Sequence, residues 1–207
     1  MSGSHRAEFL REFLRDPFTV AAVAPSGGPL ADLVTAPVPD AGEPLVVELG
    51  PGAFTAAIQR RLAGRGHHLA VEVNERFAGL LADRYPGVDV AVADARDLGA
   101  VLAQRGHRRA DVIVSGLPWA AFAGGQQDEL LHAVTDALAP DGAFTTFGYT
   151  LARWAPPARR LRRALGDRFE EVVTGRTVWA NLPPAFVYFC RRPRVTARPR
   201  TLVSLAG

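Results

Sequence analysis

Short runs of apolar residues alternate along this chain with longer segments in which apolar positions return every three to four residues. Residues 45–49, 69–73, 88–93 and 112–115 read as strands of the buried type. Between them the pattern predicts helices over 54–62, 75–85 and 98–104, the first two closed by a Gly or Pro signal. Leu130, Leu131, Val134 and Leu138 recur at helical spacing and predict a longer helix over 126–139. Pro140-Asp141-Gly142 then predicts a turn, followed by a strand over 143–149. Pro156-Pro157 opens an arginine-rich helix to Leu165. Two last apolar runs, 169–178 and 185–190, flank Asn181-Leu182-Pro183-Pro184 and suit an antiparallel strand pair. The series predicts an α/β fold: a doubly wound, mostly parallel sheet closed by that pair, with a helical extension at the N-terminus.

Composition adds limits. At 207 residues, with 48% hydrophobic and 22% charged, the chain fits one globular domain, neither disordered nor coiled coil. We expect a single domain over 1–207: a helical segment over 1–40, a core over 41–192 and a basic tail over 193–207. All 24 basic residues are arginine, and against 21 acids they leave a net charge of +3, which permits acidic partners without choosing among them. The tail from Arg191 carries further arginines between prolines and is expected to run loose over the surface. Cys190 stands alone, so no internal disulfide can form, and no secretory pattern opens the chain; a reduced, cytoplasmic protein is expected. The charge-free stretches 17–31 and 112–127 contain Pro and Gly and fall short of the roughly 18 apolar residues of a spanning helix, so no membrane crossing is expected.

The sharpest local feature is Leu45-Val46-Val47-Glu48-Leu49-Gly50-Pro51-Gly52-Ala53-Phe54-Thr55, a strand entering a glycine turn and then a helix. Glycines there let a ligand approach the backbone. About twenty residues on, Glu72 ends the next strand, where a carboxylate can accept both hydroxyls of a ribose. A dinucleotide cofactor is the runner-up, because Thr55 holds the place of the third fingerprint glycine. The third strand leads into Asp94-Ala95-Arg96-Asp97 and the fourth into Ser115-Gly116-Leu117-Pro118-Trp119, and in a doubly wound sheet these loops share one carboxyl edge.

Taken together, the ELGPG turn, the VEVNERF acid, the ADARDL loop and the SGLPW loop resemble the successive motifs of class I S-adenosylmethionine-dependent methyltransferases, whose sheet is Rossmann-like. The resemblance implies S-adenosylmethionine as cofactor, with S-adenosylhomocysteine as product. It assigns the glycine loop to the methionine part, Glu72 to the ribose and Asp94 to the adenine amino group. By position the cofactor set is Glu48, Gly50, Gly52, Glu72, Val73, Asp94, Ala95 and Ser115. FLREFLRDPFTVAAVAPS near the start, SGLPW, and VWANLPPAFVYFCRR near the end are similar to bacterial phospholipid N-methyltransferases, which methylate the amine of phosphatidylethanolamine. The glycine loop departs from that family, as though two residues, one a glycine, were missing after Gly52. Related adenine N-methyltransferases and ribosomal RNA dimethylases carry an asparagine where this chain has Gly116, which lowers the nucleic-acid reading.

Substrate candidates are Ser26, Trp119 and Tyr149. Trp119 either packs internally or offers an aromatic face to an ammonium group at the mouth of the site. Tyr149 either belongs to the core or takes the proton that the amine loses before attack. Ser26 either sits beside the cofactor or makes a turn. Over residues 5–16, Phe9, Leu10, Phe13 and Leu14 fill one arc of a helix while Arg11 and Arg15 occupy the other. Such a helix either docks on its own domain or lies on an anionic membrane, giving the enzyme peripheral access to its lipid at the inner face of the cell. The five histidines show no metal-ligand spacing, and no metal is expected; His67 and His68 are expected to be exposed. Competing functions are a methyltransferase of a small secondary metabolite and a related scaffold that has lost methyl transfer.

Overall fold

The computed structural model describes residues 28–194. In chain order the elements are α1 (Gly28–Val34), β1 (Leu45–Leu49), α2 (Thr55–Leu62), β2 (His67–Glu72), α3 (Glu75–Arg84), β3 (Asp89–Val92), α4 (Leu98–Gln104), β4 (Ala110–Ser115), α5 (Gly124–Ala137), β5 (Leu138–Tyr149), α6 (Pro156–Arg168), β6 (Phe169–Thr174) and β7 (Ala185–Pro193). Short 3₁₀ turns at Ala95–Asp97, Trp119–Ala121 and Thr150–Ala152 follow β3, β4 and β5. The sheet order is β3-β2-β1-β4-β5-β7-β6. β1 pairs in parallel with β2 and β4, and β5 extends the parallel half from β4. β7 runs antiparallel to both β5 and β6.

Every residue of β1 is buried, as a central strand covered on both faces requires. On one face α1 and α2 set Val34, Ile58 and Leu62 against Val46, Val112 and Val114. On the same side α3 places Leu81 against Ala70 and Val88. The opposite face is covered by α4, α5 and α6, whose Leu102, Leu131 and Leu165 pack on Val47, Ile113 and Phe144. Helix starts follow local chemistry. Asn74 caps α3 by accepting the N–H groups of Arg76 and Phe77, and Pro156 opens α6 where no N–H is needed.

α1, which falls within the segment over 1–40 expected to be helical, packs into the core, and Thr145 Oγ1 donates to the Val34 carbonyl at 2.8 Å. Several expectations are corrected. The expected turn at Pro140-Asp141-Gly142 lies inside β5, where the pairing with β4 shifts register between Ala110 and Val112. β6 stops at Thr174, leaving Val178 in an isolated bridge to Ala185. Arg191 and Arg192, expected in a loose tail, belong to β7, and Arg192 pairs with Glu170 and Glu171. His68 is buried within β2 rather than exposed. The predicted helix over 5–16, with Phe9, Leu10, Arg11, Phe13, Leu14 and Arg15, lies outside the described residues, as do Ser26 and the chain after Arg194. Among the described residues no helix is long and apolar enough to cross a membrane.

Candidate active site

The chain leaves β1, builds β2 and β3 to one side, then returns to place β4 on the other side of β1. Such a reversal opens a crevice beyond the carboxyl ends of the strands. A cleft of about 470 Å³ lies at this edge, lined by the ends of β2 and β3, the start of α3, the loop after β4 and the first turns of α5.

The glycine turn is held from below. Gly50 N–H bonds to the Val71 carbonyl at 3.0 Å and Gly116 N–H to the Leu49 carbonyl at 2.8 Å, tying the turn and the loop after β4 to the strand ends. Gly50 and Gly52 have φ of +114° and +90°, which L side chains rarely adopt. Glu48, buried on the α2 face of β1, accepts the Phe54 N–H at 2.8 Å and the Thr55 hydroxyl at 2.5 Å. A carboxylate thereby caps a helix whose own N-cap residue, Phe54, provides no side-chain bond. His68 Nε2 faces Glu48 Oε2 at 3.4 Å, while its Nδ1 lies 2.9 Å from the Gln59 amide nitrogen. Because that amide can only donate, Nδ1 accepts. The shortened turn thus closes on Glu48 without the two residues it lacks.

Glu72 ends β2 almost fully buried at the cleft wall, and its Oε1 accepts the Asn74 N–H at 2.7 Å. Burial pushes its carboxyl above the ordinary value, partly offset by the N–H groups of Asn74 and Val73. Asp94, just after the neighbouring strand β3, lines the same cleft. Arg96 holds both its oxygens, with Nη2 2.7 Å from Oδ2 and Nε 3.1 Å from Oδ1, and also reaches Glu129 at 3.2 Å. These bonds to Arg96 hold the Asp94 carboxyl below the usual carboxylate range. Beside the two acids the walls are apolar: Val73, Phe77, Leu117, Phe122 and Leu130. A largely apolar cleft lined by two carboxylates has the chemistry to hold a nucleoside.

The expected residues divide. Glu72, Val73, Asp94 and Ala95 line the cleft. Glu48, Gly50, Gly52 and Ser115 do not line it, though Gly50 bonds to Val71 and Ser115 to Leu117, which do. Ser115 Oγ accepts the Trp119 indole N–H at 2.9 Å and the Leu117 N–H at 3.3 Å, which buckles the loop after β4. Trp119 is 2% exposed, packed edge-on against Phe122 and Phe144, so its ring is an internal wall and not an open aromatic face. Tyr149 lies on the α1 side of β5, edge-on to Phe147. Burial pushes its phenol above the ordinary value, which disfavours the phenolate form. Cys190 is buried, its thiol pushed up to about 12, and takes no part. Sequence reasoning missed Asn74, Phe77, Phe122 and Gln126 as lining residues. For Phe77 the signal was present, since it stands one helical turn into α3 beyond Glu72.

No family model matches the chain. Over 190 residues it is 36% identical to an ornithine lipid N-methyltransferase from Singulisphaera acidiphila, covering 88% of this chain and 94% of that one. Human methyltransferase-like protein 13 in complex with SAH is similar with a TM-score of 0.58 at 17% identity, covering 83% of this chain and 81% of that one. Magnesium protoporphyrin IX methyltransferase from Synechocystis, with bound SAM, gives 0.58 at 10% identity, covering 79% and 76%. TrmN from Thermus thermophilus gives 0.62 at 20% identity over 79% of this chain, which spans about half, 48%, of that protein. The solved structures speak to the fold, and the ornithine lipid N-methyltransferase relative, matched over nearly its whole length, to the family. The chain belongs to the lipid N-methyltransferases of class I, enzymes of lipid N-methylation that use S-adenosylmethionine as cofactor.

Proposed function

We propose that the enzyme methylates the primary amine of an ornithine-type membrane lipid, working as a peripheral protein at the inner face of the cell membrane. The observation that carries the acceptor is the 36% identity to an ornithine lipid N-methyltransferase across 94% of that protein. Phosphatidylethanolamine is the second reading, supported by the similarity of the opening segment, SGLPW and VWANLPPAFVYFCRR to phospholipid N-methyltransferases.

When bound, S-adenosylmethionine supplies a methyl group made electrophilic by its sulfonium. Glu72 would accept the ribose hydroxyls, Val73 and Phe77 with Leu117 and Phe122 would enclose the base, and Asp94 would meet its amino group. Transfer of this kind needs alignment and exclusion of water more than a covalent nucleophile. The chain contributes both, through the apolar walls of the cleft and the turn that Glu48 fixes. The acceptor amine must shed its proton first, and we assign that proton to water. Tyr149, kept as a phenol at the end of β5, can orient the amine through its oxygen.

The test is transfer of labelled methyl groups from S-adenosylmethionine to ornithine lipid and to phosphatidylethanolamine, each dispersed in the same detergent, with products separated by mass. Methylated ornithine lipid is expected, and label in phosphatidylethanolamine alone moves the assignment to the second reading. Label in neither, with calorimetry showing cofactor bound, rejects both.

A further inference from the structure

The carboxyl edge carries a second built surface, beyond the cofactor cleft. β5 ends there, and because β7 is reversed, the β6–β7 connection emerges at the same edge, where Thr150 N–H bonds to the Pro184 carbonyl at 2.9 Å. The two connections present large apolar side chains to solvent: Leu151 is 78% exposed, Trp154 75%, Trp179 75% and Leu182 56%. Tryptophans this open, paired with leucines on adjoining loops, are what a membrane interface accepts and what a free protein surface seldom keeps together.

The chain segments that carry them are basic. Residues 150–166 and 172–189 together carry six arginines, Arg153, Arg159, Arg160, Arg162, Arg163 and Arg176, and no acid. A groove of about 590 Å³ beside Trp154 is lined by Arg153, Arg159, Arg162 and Arg163, together with Thr174 and Tyr188. Among the described residues none of these four arginines pairs with a carboxylate. Arg153 lies instead over the rings of Trp154 and Phe186, 5.3 and 5.7 Å from their centroids. The acids nearest this groove are Asp128 and Asp167, which share a neighbouring hollow with Arg159, Arg160 and Arg163; Asp128 is engaged by Arg168, and Glu170 and Glu171 by Arg192.

We infer that this rim is a docking surface for an anionic lipid bilayer, with Leu151, Trp154, Trp179 and Leu182 entering the interface and the arginine groove holding anionic headgroups. The inference rests on the lipid reading above and adds to it the means by which the open edge of the sheet is brought to the membrane. Arginine matches the planar oxygens of phosphate or carboxylate headgroups, and tryptophan belongs at headgroup depth.

The experiment is flotation of the full-length protein with phosphatidylcholine vesicles, with and without phosphatidylglycerol. Neither lipid carries an amine to methylate, so the result stands apart from the identity of the acceptor. Wild type is expected to float with the phosphatidylglycerol vesicles and to be released by salt. A variant carrying Arg159→Gln, Arg162→Gln and Arg163→Gln should lose roughly fivefold in partitioning for each charge removed. A second variant, Trp154→Ser with Trp179→Ser, should bind severalfold more weakly with its salt dependence retained. Unchanged melting and unchanged calorimetric affinity for S-adenosylmethionine show that both variants are folded. The proposal is overturned if wild type ignores the anionic vesicles. It is equally overturned if both variants float like wild type, which would place membrane contact elsewhere in the chain, or if a mixed-sequence oligonucleotide displaces the vesicles.

Discussion

Arg96 grips both oxygens of Asp94, the carboxylate that lines the same cleft as Glu72. The same carboxylate also accepts the Arg96 backbone N–H at 2.8 Å, a bond that survives loss of the guanidinium. Arg96→Gln is therefore expected to tighten S-adenosylmethionine binding a few-fold, because a competing donor leaves while Asp94 stays in place. Asp94→Ala is expected to weaken it by about tenfold, the scale of one hydrogen bond to a charged group. Calorimetric titration of the two variants decides this. Weaker binding in Arg96→Gln would mean that the arginine positions Asp94 and does not compete for it.

Glu48 predicts a stability effect separate from binding. Glu48→Ala strands the buried Phe54 N–H and Thr55 hydroxyl, and should cost about 2–3 kcal/mol, as for a buried charged hydrogen-bond partner. Glu48→Gln keeps one acceptor and should cost about half as much. Denaturant unfolding measures both, and equal losses would show that the charge, not the acceptor geometry, caps α2.

Glu72 sets a pH dependence whose two parts have opposite signs. Its folded-state value lies above the unfolded one because of burial, so its contribution to stability is fully present below the unfolded value and is lost as pH rises through the folded one. Accepting two ribose hydroxyls needs the carboxylate, so cofactor affinity should fall as pH drops through that same raised value. Asp94, held low by Arg96, remains ionised over this window. Isothermal titration across the acid range should show the fall in wild type and a flat, weaker profile in Glu72→Gln. A fall of the same shape in the variant would assign the titration to another group.

Trp119→Phe removes the indole N–H from Ser115 but keeps the ring. It should lower stability by about 1 kcal/mol, the net worth of a typical hydrogen bond. Because the ring is enclosed by Phe122 and Phe144, KM for the lipid should not change. A raised KM with unchanged melting would instead place the ring against the acceptor.

The elements that sequence reasoning placed well are those whose residues report their own surroundings. β1 and α4 match their expected limits because a strand with four apolar residues in five, or a clean apolar stripe, can be buried only one way. The acids lining the cleft were found for a similar reason, since a carboxylate at the end of a buried strand has few bland uses. Failures came where distant parts of the chain decide. α1 falls in a segment expected to be helical, but it is fixed by Thr145, over a hundred positions away, and nothing within its own seven residues announces that contact. Pro140-Asp141-Gly142 has turn chemistry, but β4 carries it along as an irregularity in the ladder. Trp119 looked like a loop aromatic until α5 and β5 closed around it. The Arg96 clasp on Asp94 depends on Glu129 from α5 as well, so spacing in one loop could not reveal it.

The reversal of β7 divides the molecule's evolutionary freedom. The glycine turn and the two acids of the cleft sit on turns that leave the parallel strands, where a change in length disturbs a shared register. The hairpin between β6 and β7 hangs from the outer margin of the sheet and can lengthen, shorten or change its side chains while that register stands. Descendants of this chain could thus explore new acceptors and new surfaces through one peripheral hairpin, leaving the nucleotide half unaltered.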